Sequence, residues 1–236
     1  MKNIITIGLL AASLLILSCN NTENKENSID SRNEHIEQKV DSVLALMTLQ
    51  EKIGQLVQYN GSWDLTGPPS DMNSKDKLER IKKGGVGSML NVLTVAATRA
   101  AQKAGMEHSR MKIPLIFGYD VIHGYKTIFP VPLGESASWD LQMMKKTAEI
   151  AARETAASGV HWTFSPMLDV SRDARWGRIM EGSGEDPYLI SQVAIAKVTG
   201  YQGKDLSDPH TIAACAKHFA GYGFAEAGRE YNTGNI

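Results

Sequence analysis

The feature that most constrains the fold is a regular alternation of short apolar segments with longer helical stretches. The apolar segments are GGVGSMLNV (84–92), IPLIFGYDV (113–121), GVHWTFSPML (159–168) and TIAACAKHFA (211–220). Three stretches between them, 94–110, 141–158 and 187–201, have helical character. Continuous apolar strands that alternate with helices are typical of a parallel sheet buried on both faces. The sequence therefore predicts an α/β fold.

The same alternation favours a barrel over a nucleotide-binding sheet. A dinucleotide or P-loop fold places a glycine-rich phosphate loop directly after its first strand. Here the glycines of GGVGS (84–88) precede their strand. Alternation without a nucleotide fingerprint is typical of a (β/α)8 TIM-like barrel.

Two further helices are predicted ahead of the first strand. Apolar residues recur at three- and four-residue spacing from His35 to Met47. Thr48 and Glu51 then form the sequence pattern of a capping box, which starts a second helix that runs through Leu56. Residues 60–73 have the composition of a loop.

The N-terminus has the pattern of an export signal. Lys2 precedes an apolar run from residue 4 to residue 17, which is too short for a membrane span and typical of a signal peptide. The run ends in ILSC (16–19), which resembles the lipobox of bacterial lipoproteins, with Cys19 as the lipidated residue; an ordinary signal peptide with a chance cysteine is the alternative. Residues 20–34 are polar, lack aromatic residues and predict a disordered tether.

The predicted organisation is thus a lipoprotein signal peptide (1–19), a tether (20–34) and one partial barrel domain (35–236). We expect an exported protein of the periplasm or outer membrane, held by lipid at Cys19. Asn rather than Asp at position 20 favours the outer membrane, by resemblance to bacterial sorting rules.

Composition excludes several function classes. A formal net charge of −1 and the lack of a basic stripe argue against nucleic acid as a partner. If Cys19 carries lipid, Cys215 is the only other thiol, so no intramolecular disulfide can form. Cys215 lies in an apolar run, which favours a small buried hydrophobe. No group of Cys and His has metal-site spacing, and we expect neither a metal nor a cofactor.

Polar residues collect where the predicted strands end. Asp120 ends the second apolar segment, Lys217 and His218 end the fourth, and the charged loop DVSRDARWGRIMEGSGEDP (169–187) follows the third. The carboxyl ends of barrel strands share one face, where active sites of this fold lie. Carboxylate, arginine, lysine and histidine together suit a neutral polyhydroxyl ligand, because they accept from and donate to hydroxyl groups. A sugar is therefore the ligand that fits best.

Each of these residues also has a structural interpretation. Asp120 alone could be a helix cap, and His123 is expected to be a structural histidine. Trp176 could stack on a sugar or simply pack in the core. Most charges of the loop should pair with each other and hold its shape. These charges belong to Arg172, Arg175 and Arg178 on one side and to Asp169, Asp173, Glu181, Glu185 and Asp186 on the other.

Six stretches resemble, in order, motifs of the N-terminal part of glycoside hydrolase family 3, most closely its periplasmic β-glucosidase branch. They are MTLQEKIGQL, IPLIFGYDVIHG, TIFPVPLGESASWD, FSPMLDVSRDARWGRIMEGSGEDPYL, ACAKHFAGYG and GREYNTGNI. The resemblance implies a (β/α)8-type barrel, incomplete at the C-terminal end of this chain, that binds the non-reducing glucose of a β-linked oligosaccharide or glucoside. It assigns Asp120 as an acceptor for sugar hydroxyls and Arg178 as a donor, with Lys217 and His218 completing the sugar site.

The resemblance also implies hydrolysis with retention, in which one carboxylate attacks the sugar and a second, about 5 Å away, protonates the leaving group. In the family both groups come from motifs downstream of GREYNT, which this sequence does not contain. We therefore expect none of Asp120, Asp169, Asp173 and Glu185 to be the nucleophile, and the chain itself to be inactive.

Three functions remain open from sequence. The first is a β-D-glucosidase, and the second is a β-xylosidase of the same family. The third is a non-catalytic sugar-binding lipoprotein of the cell surface. The N-acetylglucosaminidase branch is disfavoured, because no histidine follows His218 in this chain.

Overall fold

The computed structural model describes residues 33–61 and 74–234. The chain divides into two compact units, 1–52 and 53–236. The predicted signal peptide with Cys19, the tether up to residue 32 and most of the predicted loop at 60–73 lie outside the described residues. Among the residues that are described, no helix has both the length and the apolar character needed to cross a membrane.

The first unit contains the first predicted helix and the start of the second, which continues past residue 52. Helix α1 occupies 33–46, so the helix is already formed two residues before the predicted start at His35. The capping box is confirmed: Thr48 N donates to Glu51 Oε2 at 2.8 Å, and Glu51 N donates to Thr48 Oγ1 at 3.3 Å. This exchange satisfies amides that the first turn of helix α2 (Leu49–Gln55) would otherwise leave unpaired.

The second unit alternates strands and helices as the sequence predicts. Its strands are β1 (Gln58–Asn60), β2 (Ser88–Leu90), β3 (Ile116–Tyr119) and β4 (Trp162–Thr163). Its helices are α3 (Ser74–Lys82), α4 (Val95–His108), α5 (Pro132–Ser136), α6 (Leu141–Ala157) and α7 (Pro187–Gln202). Strand β1 was not predicted, because three residues with two polar side chains give no recognisable apolar run.

The four strands form a parallel sheet in the order β1-β2-β3-β4, with Tyr59 opposite Met89 and Met89 opposite Phe117. A doubly wound sheet reverses its strand order at a switch point, whereas this sheet adds each new strand on the same side. Right-handed crossovers then place all the connecting helices on one face, and such a sheet curls into a barrel wall. The topology confirms the predicted (β/α)8-type architecture.

The fourth apolar segment (211–220) continues this wall without forming a regular strand. Its backbone follows β4 and the residues after it in parallel, through bridges that pair Trp162 with Ala213 and Met167 with Lys217. Lys217 N donates to Pro166 O at 3.2 Å, and Leu168 N donates to Lys217 O at 2.7 Å. The segment therefore takes the fifth strand position of the barrel.

Each of the three long helices begins at a side-chain cap. The side chains of Thr94, Asp140 and Asp186 accept hydrogen bonds from amides in the first turns of α4, α6 and α7. Helices α6 and α7 approach closely at Gly200, where an added Cβ would lie 2.6 Å from Lys145 O. Only glycine permits this close contact of α7 with α6.

Candidate active site

The predicted site residues lie at the carboxyl ends of neighbouring strands. Asp120 directly follows β3, and Lys217 and His218 end the fifth strand position. The loop that contains Arg178 leaves the end of β4. Because the strands are parallel, their carboxyl ends form one edge, and residues far apart in sequence meet there.

Lys217 and Asp120 form an ion pair at this edge. The Lys217 Nζ–Asp120 Oδ1 distance is 3.0 Å, and the two side chains are 12% and 19% exposed. The pair offsets the cost of shielding the Lys217 charge from water, since a charge leaves water only if it is paired. It joins the third and fifth strand positions across the barrel end.

His218 is held by a buried carboxylate. Asp169 Oδ2 accepts from the backbone N of His218 at 3.1 Å and lies 2.7 Å from its Nδ1. The Asp169 side chain is only 3% exposed. An ionised carboxylate is only an acceptor, so Nδ1 carries a proton and the second ring nitrogen, Nε2, is the one that can meet a ligand.

Arg178 forms a two-pronged pair with Glu181. Its Nε and Nη2 donate to the two carboxylate oxygens at 2.6 and 2.7 Å, a geometry that fixes the plane of the guanidinium. The guanidinium also lies 5.3 Å from the centre of the Tyr222 ring. Burial tends to raise the pKa of Glu181, but Arg178, helped by Lys217 and His218, outweighs it and keeps that pKa below its ordinary value.

All four predicted ligands line a single cavity of about 630 Å³, which we call the strand-end cavity. The structure therefore brings together Asp120, Arg178, Lys217 and His218, as the sequence predicted. The other residues that line the strand-end cavity are Gln58, Leu90, Ile122, Phe164, Glu181, Cys215 and Tyr231. A second cavity of about 500 Å³ shares Arg178, His218 and Tyr231 with it.

Cys215 corrects one expectation. It is half-buried rather than buried, and it lines the strand-end cavity. The segment at 211–220 lies at the edge of the described sheet, so a side chain that the apolar run placed in the core is open to the cavity.

Two residues with alternative interpretations are structural. Trp176 is 1% exposed, its Nε1 donates to Glu230 Oε2, and its ring packs edge-on against Tyr222. The packing interpretation is therefore the correct one. His123 Nδ1 lies 3.0 Å from the Phe129 carbonyl oxygen, so the ring fixes its own loop, as expected of a structural histidine.

The charged loop pairs internally only in part. Arg175 binds Asp173 through several contacts, the shortest at 2.6 Å, with the Arg175 side chain exposed and Asp173 half-buried. Arg172 instead lies over the Phe224 ring at 4.9 Å. The sequence did not assign Asp169 to His218, because the two lie on different segments and only the parallel pairing of those segments brings them together. Among the described residues, no cluster of three or more His, Cys, Asp and Glu side chains could hold a metal ion.

The described strands form one wall of a (β/α)8-type barrel, and a polar cavity lies at their carboxyl ends. The chain is thus a barrel domain of the kind that carries enzyme active sites. The chain belongs to glycosyl hydrolase family 3, since the sequence model of the "Glycosyl hydrolase family 3 N terminal domain" matches residues 48–236. This confirms the family to which the sequence motifs pointed.

Two curated relatives are informative. A periplasmic β-glucosidase of Salmonella typhimurium is 44% identical over 82% of this chain, which covers 24% of that protein. A putative β-xylosidase of Formosa agariphila is 30% identical over 98% of this chain and 32% of the relative. The chain thus spans about a quarter to a third of the length of these relatives.

Solved structures of β-glucosidases also resemble this chain. A β-glucosidase from Listeria innocua in complex with isofagomine superposes with a TM-score of 0.76 at 43% identity, over 84% of this chain and 28% of that one. The same Listeria enzyme has been solved with laminaribiose, as a mutant, and with glucose.

Proposed function

We propose that the chain is the N-terminal barrel domain of an exported, retaining β-D-glucosidase that removes terminal β-linked glucose from oligosaccharides or glucosides. One observation carries the proposal: Asp120, Arg178, Lys217 and His218 line one cavity at the carboxyl ends of the strands. In this proposal the strand-end cavity binds the non-reducing glucose.

The chemistry of the cavity suits a neutral sugar. Asp120 accepts from hydroxyl groups, while Lys217 and Arg178 donate to them. Because each cation already has a carboxylate partner at 3.0 Å or less, the cavity does not present the unopposed positive charge that an anion site would show. A polyhydroxyl ligand satisfies such paired groups by adding hydrogen bonds to both members.

We also propose that the nucleophile and the general acid lie outside the described residues. Asp120 is paired with Lys217, and both oxygens of Glu181 are held by Arg178. Asp169 is buried against His218. A nucleophile must reach the sugar from a position about 5 Å from the acid. Each of these three carboxylates already binds a neighbouring side chain, which supports the proposal that both catalytic groups come from the remainder of the protein.

A β-xylosidase is the second candidate, because a relative with that name matches nearly the whole chain. Glucose and xylose differ only by the hydroxymethyl group at C5. Comparing these two sugars therefore separates the candidates without any catalytic step.

The lipid anchor at Cys19 and the export signal belong to the proposal as sequence-based expectations. A relative described as periplasmic supports export. Labelling with a radioactive fatty acid in a bacterial host, with Cys19→Ser as the control, tests the anchor.

The deciding experiment is sugar binding by the full chain, measured by calorimetry or ligand-observed NMR. We expect glucose to bind more tightly than xylose, and Asp120→Asn to weaken glucose binding by about tenfold or more, because it leaves Lys217 without its charged partner. Asp173→Asn is the matched control, since it removes a paired carboxylate of similar exposure that does not line the cavity. Failure to bind glucose would overturn the proposed site, and tighter binding of xylose would favour the xylosidase.

Hydrolysis of p-nitrophenyl β-glucoside tests the catalytic part separately. We expect no turnover by this chain. Strong turnover would show that one of its own carboxylates is the nucleophile.

A further inference from the structure

The residue that follows Asp120 is fixed at both of its backbone polar groups. Regular pairing of β3 with β4 ends at Tyr119, whose carbonyl accepts from Phe164 N at 3.2 Å. At Val121 two side chains replace the sheet hydrogen bonds. Val121 N donates to Thr163 Oγ1 at 3.0 Å, and Tyr201 Oη donates to Val121 O at 2.7 Å.

We propose that Tyr201 and Thr163 are positioning residues that set the direction of the Asp120 carboxylate in the strand-end cavity. This inference rests on the proposed sugar site and adds to it two residues that do not line the cavity. Neither residue would touch the sugar, and both act through the backbone of Asp120.

The surroundings of these contacts make them rigid. Val121, Thr163 and Tyr201 are all at most 1% exposed. Tyr201 Oη also lies 3.3 Å from Ser165 Oγ, which donates to it when Tyr201 donates to Val121. The Tyr201 carbonyl accepts from Ile212 N at 3.0 Å. One tyrosine on α7 thus ties the ends of β3 and β4 to the start of the fifth strand position.

The backbone on both sides of Asp120 determines the direction of its carboxylate, which extends from that backbone toward Lys217. Tyr119 holds the chain before Asp120 through the sheet, and Val121 holds it afterwards through the two side chains. Buried hydrogen bonds of this kind are costly to break and resist displacement. Burial also raises the pKa of Tyr201 to about 12, so its hydroxyl remains a donor throughout the working pH range.

The test compares two tyrosine-to-phenylalanine variants of the full chain. Tyr201→Phe removes only the hydroxyl that holds Val121. Tyr125→Phe is the matched control: it removes a tyrosine hydroxyl that donates to the Leu93 carbonyl at 2.8 Å, in the same part of the core. We expect Tyr201→Phe to weaken glucose binding by about three- to tenfold and Tyr125→Phe to leave it unchanged.

A coupling experiment separates positioning from general loss of stability. In an Asp120→Asn background, Tyr201→Phe should cause no further loss of affinity, because the carboxylate that it orients is already gone. Thr163→Val should weaken binding like Tyr201→Phe, while Thr163→Ser, which keeps the hydroxyl, should restore most of it. Equal affinity of Tyr201→Phe and wild type, or full additivity with Asp120→Asn, would overturn the inference.

If the wild type does not bind glucose, the proposed function fails and hydrogen exchange decides this inference by itself. The Val121 amide, which donates to Thr163 Oγ1, should exchange faster in Tyr201→Phe than in Tyr125→Phe. Unchanged exchange at this amide would show that Tyr201 does not position the segment.

Discussion

Two lysine–carboxylate pairs in the same unit have the same chemistry but different surroundings. Lys197 and Glu135 are 6% and 7% exposed, and Thr147 Oγ1 lies 3.1 Å from Lys197 Nζ while it donates to Glu135 Oε1. Lys217 and Asp120 are 12% and 19% exposed and line a cavity of about 630 Å³. The first pair is enclosed by three helices, and the second lies where a ligand could enter.

This difference in burial indicates that the first pair stabilises the fold and that the second is suited to bind a ligand. Glu135, Thr147 and Lys197 come from α5, α6 and α7, so the enclosed pair joins these three helices. Burial lowers the pKa of Lys197, although Glu135 acts in the opposite direction. The charge of the enclosed lysine is therefore costly to keep. The cavity pair avoids most of that cost because water or sugar hydroxyls can reach it.

The largest effect expected from this comparison concerns stability. Lys197→Met should lower the free energy of unfolding by about 3–5 kcal/mol, since it leaves the Glu135 carboxylate buried without its partner. Lys217→Met should cost only about 1 kcal/mol, because Asp120 borders a cavity that admits water. Urea unfolding followed by circular dichroism measures both.

A paired substitution serves as the control for this prediction. Lys197→Met combined with Glu135→Leu should recover most of the stability, because no unpaired charge remains. Equal losses for the two single lysine variants would show that the cavity does not hydrate Asp120.

A third ion pair, Arg178 with Glu181, is more exposed than both lysine pairs, and its contribution to stability should depend on pH. The pKa of Glu181 is lower in the folded chain than its ordinary value of 4.5. Its pair with Arg178 therefore contributes stability above about pH 4.5 and loses it as the pH falls through the folded-state pKa. Glu181→Gln should be less stable than wild type at pH 7, and the difference should shrink near pH 3. Urea midpoints at the two pH values test this, and a constant difference would contradict it.

The smallest effect is expected at the surface. Hydrogen bonds from Arg175 lower the pKa of Asp173 to about 2, yet the Arg175 side chain is exposed and water screens its charge. Asp173→Asn should leave both the urea midpoint and glucose binding at wild-type values. A clear shift in the midpoint would show that the charged loop depends on this pair.

The sequence predicted most of the architecture because apolar periodicity and cap residues are local signals. The predicted helical stretches 141–158 and 187–201 begin at the first residues of α6 and α7, and the predicted Thr48–Glu51 capping box is formed. Strand β1 was not predicted because it is three residues long and two of them are polar. The segment at 211–220 was predicted as a strand, whereas it pairs through isolated bridges and backbone hydrogen bonds.

The site was predictable in its members and not in its contacts. Strand-end position and family resemblance singled out Asp120, Arg178, Lys217 and His218, and all four line the strand-end cavity. The partners of Asp169 and Glu181 could not be predicted from the sequence, because a loop with many charges permits many pairings of similar energy. Cys215 was placed in the core, although its position relative to the cavity depends on how the wall curves.

The alternation of strands and helices, the family and the residue types at one end of the barrel can be read from the sequence. The pairing of Lys217 with Asp120, the contact of Asp169 with His218 and the hydrogen bond of Tyr201 beside Asp120 follow only from the folded chain. These contacts join residues as many as 97 positions apart. Parallel pairing sets their distance, and burial makes each hydrogen bond selective for one partner.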